Sequence, residues 1–291
     1  MRVLVTGVSG FAGSVVARHL AARGHDVTGL YRHGLGFAGR LPGQAGLTFV
    51  QGDLMGLVGL SGPFEAVIHA AATSPGPGID DAMVLRDGLD ATRALLARMR
   101  AWNSRKLVFL SSLSLYGDID SPVVDETTPI LRSDAYGLSK AGAERIIADE
   151  AGWLSAVALR LPGVIGPGAH RNWLSRVAAK LRADQPVRAF NLDAPFNNAC
   201  YVADLARLAQ SLTLRDWTGF DAMVLGARGT VSVRDAIEIL ANSMDVDCRI
   251  EEVPAAKPSF LLSSDHAIAD WGYDPMEIGA MIARYGGEIA P

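Results

Sequence analysis

Cysteine is nearly absent from this chain: Cys200 and Cys248 are its two, among 291 residues. No CxxC pair and no metal-type His/Cys spacing accompanies them. Two buried, inert thiols are therefore expected rather than a disulfide or a metal site. A strong charge of either sign is lacking too. The net charge of −4, from 27 basic and 31 acidic residues, gives no electrostatic footprint for nucleic acid or an anionic membrane surface. No segment reaches the ~18 unbroken apolar residues of a membrane span. The first apolar run, Val3-Leu4-Val5, breaks at Gly7, too soon for the apolar region of a signal peptide. Repeats and low-complexity tracts are absent. These absences leave a soluble, cytoplasmic protein with a small-molecule substrate.

What is present is a core-forming chain, 49% hydrophobic, long enough for one large α/β domain or a domain with a smaller appendage. Short apolar runs at Arg2–Thr6, Asp26–Tyr31, Leu47–Gln51, Ala66–Ala70, Lys106–Ser111 and Ser155–Leu161 read as strands. Between them, helical spacing predicts helices over Phe11–Arg23, Asp80–Trp102 and Ala135–Glu150, the long one carrying a stripe of Leu85, Leu89, Thr92, Leu96 and Met99. The glycine-rich His33–Gly46 reads as an irregular connection. Such alternation implies right-handed βαβ crossovers and a Rossmann-like, doubly wound parallel sheet. After about residue 162, Pro162, Pro167, Pro186 and Pro195 shorten the rhythm, with helices at Asn172–Ala183, Val202–Leu214 and Val233–Met244. The expected organisation is a nucleotide-binding domain over 1–162 and a smaller, mixed substrate lobe over 163–291, with no clean linker between them.

Two segments carry the chemistry. Thr6-Gly7-Val8-Ser9-Gly10-Phe11-Ala12-Gly13 joins the first strand to the first helix. Gly7 permits the tight turn, Gly10 lets backbone approach a pyrophosphate, and Gly13 lets helix pack on strand, with the helix N-terminus facing the anion. Tyr136-Gly137-Leu138-Ser139-Lys140 sets a phenol and an ammonium four residues apart, hence on one helix face. At the end of the second strand, where NAD sites carry an acid for the ribose 2′-hydroxyl, stand Tyr31, Arg32 and His33. A guanidinium there suits a 2′-phosphate, so Arg32 points to NADP over NAD.

The GxxGxxG spacing resembles the short-chain dehydrogenase/reductase superfamily, and Thr-Gly-x-x-Gly-Phe-x-Gly resembles its extended branch, the epimerase/dehydratase type. Further matches follow in order: Gly52-Asp53-Leu54, His69-Ala70-Ala71-Ala72, Ser111-Ser112-Leu113-Ser114-Leu115-Tyr116-Gly117 and Leu159-Arg160-Leu161-Pro162-Gly163-Val164-Ile165-Gly166-Pro167. The resemblance implies a cofactor site built from Gly7, Gly10, Phe11, Ala12, Gly13, Asp53, Leu54, Ala70, Ala71, Ala72, Tyr136, Lys140, Pro162 and Val164. Asp53 would bind the adenine amino group, and the three alanines would wall the adenine-ribose side. It implies a catalytic triad of Ser112, Tyr136 and Lys140, with Ser111 and Ser114 as local competitors for the serine role. Tyr136 would be the acid or base at the substrate oxygen, and Lys140 would bind the nicotinamide ribose and lower the phenol pKa. It also implies a homodimer paired through the long helix and the Tyr136 helix.

The implied activity is oxidoreduction or epimerisation at a hydroxyl or keto group of a sugar-like substrate, possibly a nucleotide sugar. Three positions depart from the nucleotide-sugar pattern: Gly88 and Gly163 stand where the family has asparagines, and Asn197 where many members have a diphosphate-binding arginine. Leu113-Ser114 replaces the Asp-Glu of the dehydratases, which argues against dehydration. Arg171, Arg188, His170 and Trp173 remain as candidate substrate contacts, and Thr73–Gly78 as a loop beside the site. The rival readings are an NADP-dependent reductase of a small carbonyl compound and a non-catalytic NADP-binding sensor.

Overall fold

Buried apolar strands, each followed by a helix, have few ways to pack, and this chain takes the doubly wound one. The computed structural model describes residues 1–56 and 60–290. Strands β1 (Arg2–Thr6), β2 (Asp26–Tyr31), β3 (Leu47–Gln51), β4 (Ala66–His69) and β5 (Lys106–Ser112) form a seven-stranded sheet with Ser155–Leu161 and Phe220–Val224. The order across it is Phe220–Val224, Ser155–Leu161, β5, β4, β1, β2, β3. β1 pairs in parallel with both β2 and β4, in registers that set Val3 beside Val27 and beside Ala66. The β2–β3 and β4–β5 pairs are parallel as well. Val3, Leu4 and Val5 are wholly buried, as a strand covered on both faces requires. The strand order reverses beside β1, and this opens a crevice at the carboxyl ends of β1 and β4.

Helices α1 (Phe11–Ala22), α2 (Asp81–Ala101) and α3 (Ala135–Ala148) start where the sequence leads one to expect, give or take a residue. Asp80 caps α2 by accepting from the Met83 N–H at 2.7 Å, and Asp134 caps α3 by accepting from the Gly137 N–H at 2.7 Å. The buried stripe of α2 is Val84, Thr92, Leu95, Leu96 and Met99; Leu85 and Leu89 are only half-buried. Leu89 instead meets α3, where a Cβ on Gly142 would lie 2.6 Å from its Cδ2. A Cβ on Gly88 would likewise stand 3.0 Å from that of Ser139, so glycine at 88 lets the two helices approach.

Two compact units emerge, and the chain passes between them more than once. The first comprises Met1–Asp118, Pro129–Arg160 and Leu205–Met223. The second comprises Ile119–Thr128, Leu161–Asp204 and Val224–Pro291. The core of the second unit gathers Leu174, Val177 and Leu181 with Ile237, Leu240, Met281 and Ile282. These come from the helices Trp173–Arg182, Val233–Ser243 and Ile278–Ile289. The sequence reading did not anticipate Ile278–Ile289, Asp265–Trp271 or the edge strand Phe220–Val224. It also expected two buried thiols; Cys200 is buried and accepts from the Tyr273 hydroxyl at 3.4 Å, whereas Cys248 is only half-buried. Among the described residues, no helix is long and apolar enough to cross a membrane.

Candidate active site

The glycine turn sits at the crevice between β1 and β4. Gly7 has φ +70°, and a Cβ there would lie 2.5 Å from the backbone nitrogen of Ala71. Both the conformation and the close approach of the chain leaving β4 therefore demand glycine. Gly13 is just as crowded: its Cβ would meet the Gly7 carbonyl oxygen at 2.5 Å. Gly10 differs, because its nearest neighbour, the same oxygen, would stand 3.4 Å away. The protein's own packing therefore does not require glycine at 10, whose Cα side is left open. Gly10 also serves as N-cap of α1 without a side-chain hydrogen bond, and no acid lies in the first turn. The end of α1 thus presents N–H donors and the positive end of the helix dipole, with no side-chain cap among the described residues.

The other expected cofactor positions fall into two groups. Asp53 is exposed; its Oδ1 accepts from the Met55 N–H at 2.9 Å, while Leu54 behind it is buried. Phe11 is buried edge-to-face against Phe37, which anchors the irregular connection after β2 onto the glycine turn. The Phe37 N–H reinforces this by donating to the Ser9 carbonyl at 2.9 Å. Ala12, Ala70 and Ala71 are half-buried, Ala72 exposed. Arg32 is exposed, and among the described residues its guanidinium makes no ion pair or hydrogen bond; only its carbonyl is engaged, by the Gln51 side chain at 3.1 Å. Pro162 and Val164 belong to the second unit, where the Val164 carbonyl accepts from Asn172 Nδ2 at 2.9 Å.

The residues expected to do chemistry meet at the end of β5. Ser112, half-buried, accepts from the Ser114 N–H at 3.1 Å and lies 3.2 Å, hydroxyl to hydroxyl, from Ser114. The start of α3 is pressed onto this turn: a Cβ on Gly137 would be 2.1 Å from the Ser114 carbonyl oxygen. Glycine at 137 is thus what lets the start of α3 lie against the serine turn. Lys140 is buried, donates to the Leu110 carbonyl at 2.8 Å, and lies 4.7 Å from the Phe109 ring centroid and 5.7 Å from that of Tyr136.

Electrostatics here are set by burial. It pushes the Lys140 ammonium down to about 8, with Glu144 opposing the fall. It pushes the Tyr136 phenol up, and Asp134 adds to the rise. The sequence expectation was that Lys140 would pull the phenol down; desolvation governs instead. His69 is wholly buried, stacked on Phe109, and pushed down to about 3 by burial and then by Lys140. Ala71 N–H donates to Thr6 Oγ1 at 3.3 Å, and the same hydroxyl is hydrogen-bonded to His69 Nδ1 at 2.7 Å.

Sequence reasoning did not single out a buried network beneath Lys140. Arg160 grips Glu144 through Nη2 at 2.8 Å and Nε at 3.2 Å, and donates to the Tyr116 hydroxyl at 2.8 Å. Ser111 donates to the same carboxylate. The signal was available: an acid four residues after Lys140 on an apolar helix face, and an arginine inside an apolar strand.

The substrate-side candidates lie in the second unit. Asn197 is buried, donating to the Leu262 carbonyl at 2.8 Å and accepting from the Leu262 N–H at 2.9 Å. Gly163 faces Asn172, whose Cβ would be 3.0 Å from an added Cβ. Arg171 has φ +65° and Arg188 is exposed in the Val187–Ala189 strand. His170 Nδ1 is 3.1 Å from the Gly168 carbonyl, and Trp173 packs on Phe196 at 5.0 Å between ring centroids.

A doubly wound sheet with a glycine turn at its switch point defines a dinucleotide-binding α/β enzyme. Residues 3–216 match the model of the NAD dependent epimerase/dehydratase family, and the chain belongs to that family. A UDP-glucose 4-epimerase of Streptomyces lividans is 30% identical over 267 residues, covering 81% of this chain and 79% of that protein. A D-erythronate dehydrogenase of Cupriavidus necator is 33% identical over 184 residues, covering 58% and 57%. The structure titled MoeE5 in complex with UDP-glucuronic acid and NAD superposes with a TM-score of 0.81 at 25% identity, covering 98% of both chains.

The buried ammonium has a consequence for stability. Its folded pKa lies below the unfolded one, so folding disfavours the charged form, and the cost is full below about pH 8. As pH rises from there toward the unfolded lysine value, the folded state sheds its proton first and the cost is relieved. Lys140→Met is therefore expected to unfold later in denaturant at pH 7, by about 2 kcal/mol, with the gap narrowing above pH 8. Equal midpoints at pH 7 would sink this account of the site.

Proposed function

We propose that this chain catalyses pyridine-nucleotide-dependent oxidoreduction or epimerisation at a hydroxyl or keto group of a sugar-like substrate, through Ser112, Tyr136 and Lys140. The observation that supports the proposal is the close approach of the Gly137 backbone to the Ser114 carbonyl at the start of the helix that carries Tyr136 and the buried Lys140. The glycine turn, the free end of α1 and exposed Asp53 fit a dinucleotide, whose nicotinamide supplies or accepts a hydride when bound. Tyr136 transfers the proton at the substrate oxygen. Its raised pKa keeps it protonated at neutral pH, ready to donate in the reductive direction. Ser112 donates a hydrogen bond to the same oxygen and orients it. Lys140 contributes its fixed positive charge and a donor to the ribose hydroxyls.

Tyr136→Phe is expected to cut turnover by at least about 100-fold, the usual scale for loss of a general acid, while nucleotide affinity is retained. Unchanged turnover would refute the mechanism, and the same variant separates an enzyme from a nucleotide sensor.

The nucleotide form we propose is NADP, on the strength of the exposed Arg32 and the missing carboxylate after β2. The family description and the MoeE5 title both name NAD, so the choice needs its own test. Denaturing fresh protein and identifying the released nucleotide should give NADP or none. Arg32→Ala should raise KM for NADPH about tenfold and leave that for NADH alone. Stoichiometric NAD, or an Arg32 variant indifferent to both, removes NADP from the reading.

One observation favours a substrate without a nucleotide. The Asn197 amide clamps the Leu262 backbone from the interior, and the position offers no cation to a diphosphate. The identity to a D-erythronate dehydrogenase agrees with a small polyol or sugar acid. The proposal includes a cytoplasmic homodimer joined through α2 and α3, where Leu138 is 47% exposed. Sedimentation equilibrium at micromolar concentration should return twice the chain mass; a monomer would remove the dimer.

A further inference from the structure

The glycine turn is held from outside as well as from within. Ser9 and Gly10 share one planar, trans peptide unit, whose carbonyl belongs to Ser9 and whose N–H belongs to Gly10. That N–H donates inward, to the Gly7 carbonyl at 3.0 Å. The Ser9 carbonyl, antiparallel to it, accepts from the Phe37 N–H at 2.9 Å. Two hydrogen bonds, one at each end, therefore fix the orientation of this unit. The chain enters α1 directly after it, and the first N–H groups of a helix have no partner inside the helix. Where those donors aim is set by the plane before them.

The segment that supplies the Phe37 N–H is shaped for the approach. Gly36 has φ +52°, and a Cβ there would stand 2.6 Å from the same Ser9 oxygen, so glycine is required. The Phe37 ring meets that of Phe11, the first residue of α1, edge-on at 5.5 Å between centroids. Beyond Phe37 the chain closes a single turn, Ala38–Arg40, over the buried Ala38. It is tied down once more where Arg18 of α1 donates to the Pro42 carbonyl. Residues 36–42 thus run as a strap from the glycine turn along α1. The contacts that pack the turn onto the chain leaving β4 are those of Gly7 and Gly13. The strap's contacts fall between them, on the Ser9–Gly10 peptide and Phe11, where the free donors begin.

We propose that Phe37, set in place by Gly36, is a positioning residue for the dinucleotide: it holds the Ser9–Gly10 peptide so that the N–H donors at the start of α1 face the pyrophosphate. The inference rests on the dinucleotide reading of the glycine turn, but not on the choice between NADP and NAD, nor on Ser112, Tyr136 and Lys140. The pyrophosphate is common to both nucleotides, so the strap contributes equally to each. In that it differs from Arg32, whose proposed partner is the 2′-phosphate alone.

Titration of the full chain with NADPH and with NADH, followed by nucleotide fluorescence, reads the effect without turnover. Phe37→Ala removes the ring and keeps the N–H; it should weaken both nucleotides about tenfold, the scale of a lost preorganised contact. Phe37 has φ −63°, which proline adopts. Phe37→Pro removes the N–H as well and should weaken both about fivefold further, the worth of one backbone hydrogen bond. Phe37→Leu keeps apolar bulk and should recover part of the loss; it also stands in for the other two should they fail to fold. Affinities within about twofold of the unaltered chain in every folded variant overturn the proposal. A ring with a merely structural role gives that result together with a lowered denaturant midpoint. Loss of NADPH affinity alone also overturns it, by assigning Phe37 to the 2′-phosphate. An unaltered chain that binds neither nucleotide fails the dinucleotide reading and the strap with it. Weakened binding in Phe37→Ala beside full turnover in Tyr136→Phe upholds the strap and overturns the catalytic proposal, so the failures are distinguishable.

Discussion

The bond between Glu144 and Arg160 is the interaction on which the candidate site depends. It ties α3 to the Ser155–Leu161 strand, and through Tyr116 to the turn that carries Ser112. Each partner is nearly out of solvent, at 7% and 12% side-chain exposure, so losing either leaves a buried charge without compensation, typically a cost of about 3–5 kcal/mol. One ion pair thus fixes three pieces of chain in mutual register: the helix with the phenol and ammonium, the strand end with the serine, and the neighbouring strand. Hydrophobic packing alone gives no such directional lock, because it tolerates small sliding of helix on sheet.

A second constraint lies on the opposite side of β4. The Gly7 turn and the chain leaving β4 approach so closely that a methyl group cannot stand between them. Thr6 and His69 repeat the connection one residue earlier, side chain to side chain, in a site too dry for the imidazole to charge. The crevice of the doubly wound sheet is therefore rigid on its floor. On the proposed function, the walls that would answer a ligand are the end of α1 and the Tyr136 and Lys140 groups of α3, both set on regular elements, as precise positioning demands.

Much of this was legible in the sequence, for a physical reason. Strands buried on both faces read as short apolar runs, and helices beside them read by spacing and caps, so Arg2–Thr6, Phe11–Ala22 and Ala135–Ala148 were recoverable to within a residue or two. The glycine turn and the Tyr136–Lys140 pair are local in sequence and so were visible. What escaped was what depends on long-range pairing. Phe220–Val224 joins the sheet although its sequence neighbours give no alternation to mark it. Glu144 and Arg160 are 16 residues apart, and only the fold brings them together in the interior. The pKa of Tyr136 escaped for the same reason: spacing shows that a cation is near, but not that desolvation outweighs it.

The departures from the nucleotide-sugar pattern fall outside the catalytic stretch, and each has a structural occupation. Gly88 lets α2 approach Ser139 of α3, Gly163 makes room for the Asn172 cap of the Trp173–Arg182 helix, and Asn197 clamps Leu262. None of the three touches the glycine turn or the serine turn, and Gly163 and Asn197 belong to the second unit altogether. On the proposed function, chemistry and recognition are thus assigned to different parts of the chain. Groups that hold a dinucleotide and move a proton tolerate little displacement, since proton transfer needs hydrogen-bond reach. Groups that choose a substrate can be exchanged without disturbing them, and here two of the exchanged positions have become parts of the scaffold. A family fold with an intact phenol, ammonium and serine is in that way compatible with a substrate that lacks the diphosphate, because nothing in the catalytic end of the sheet requires one.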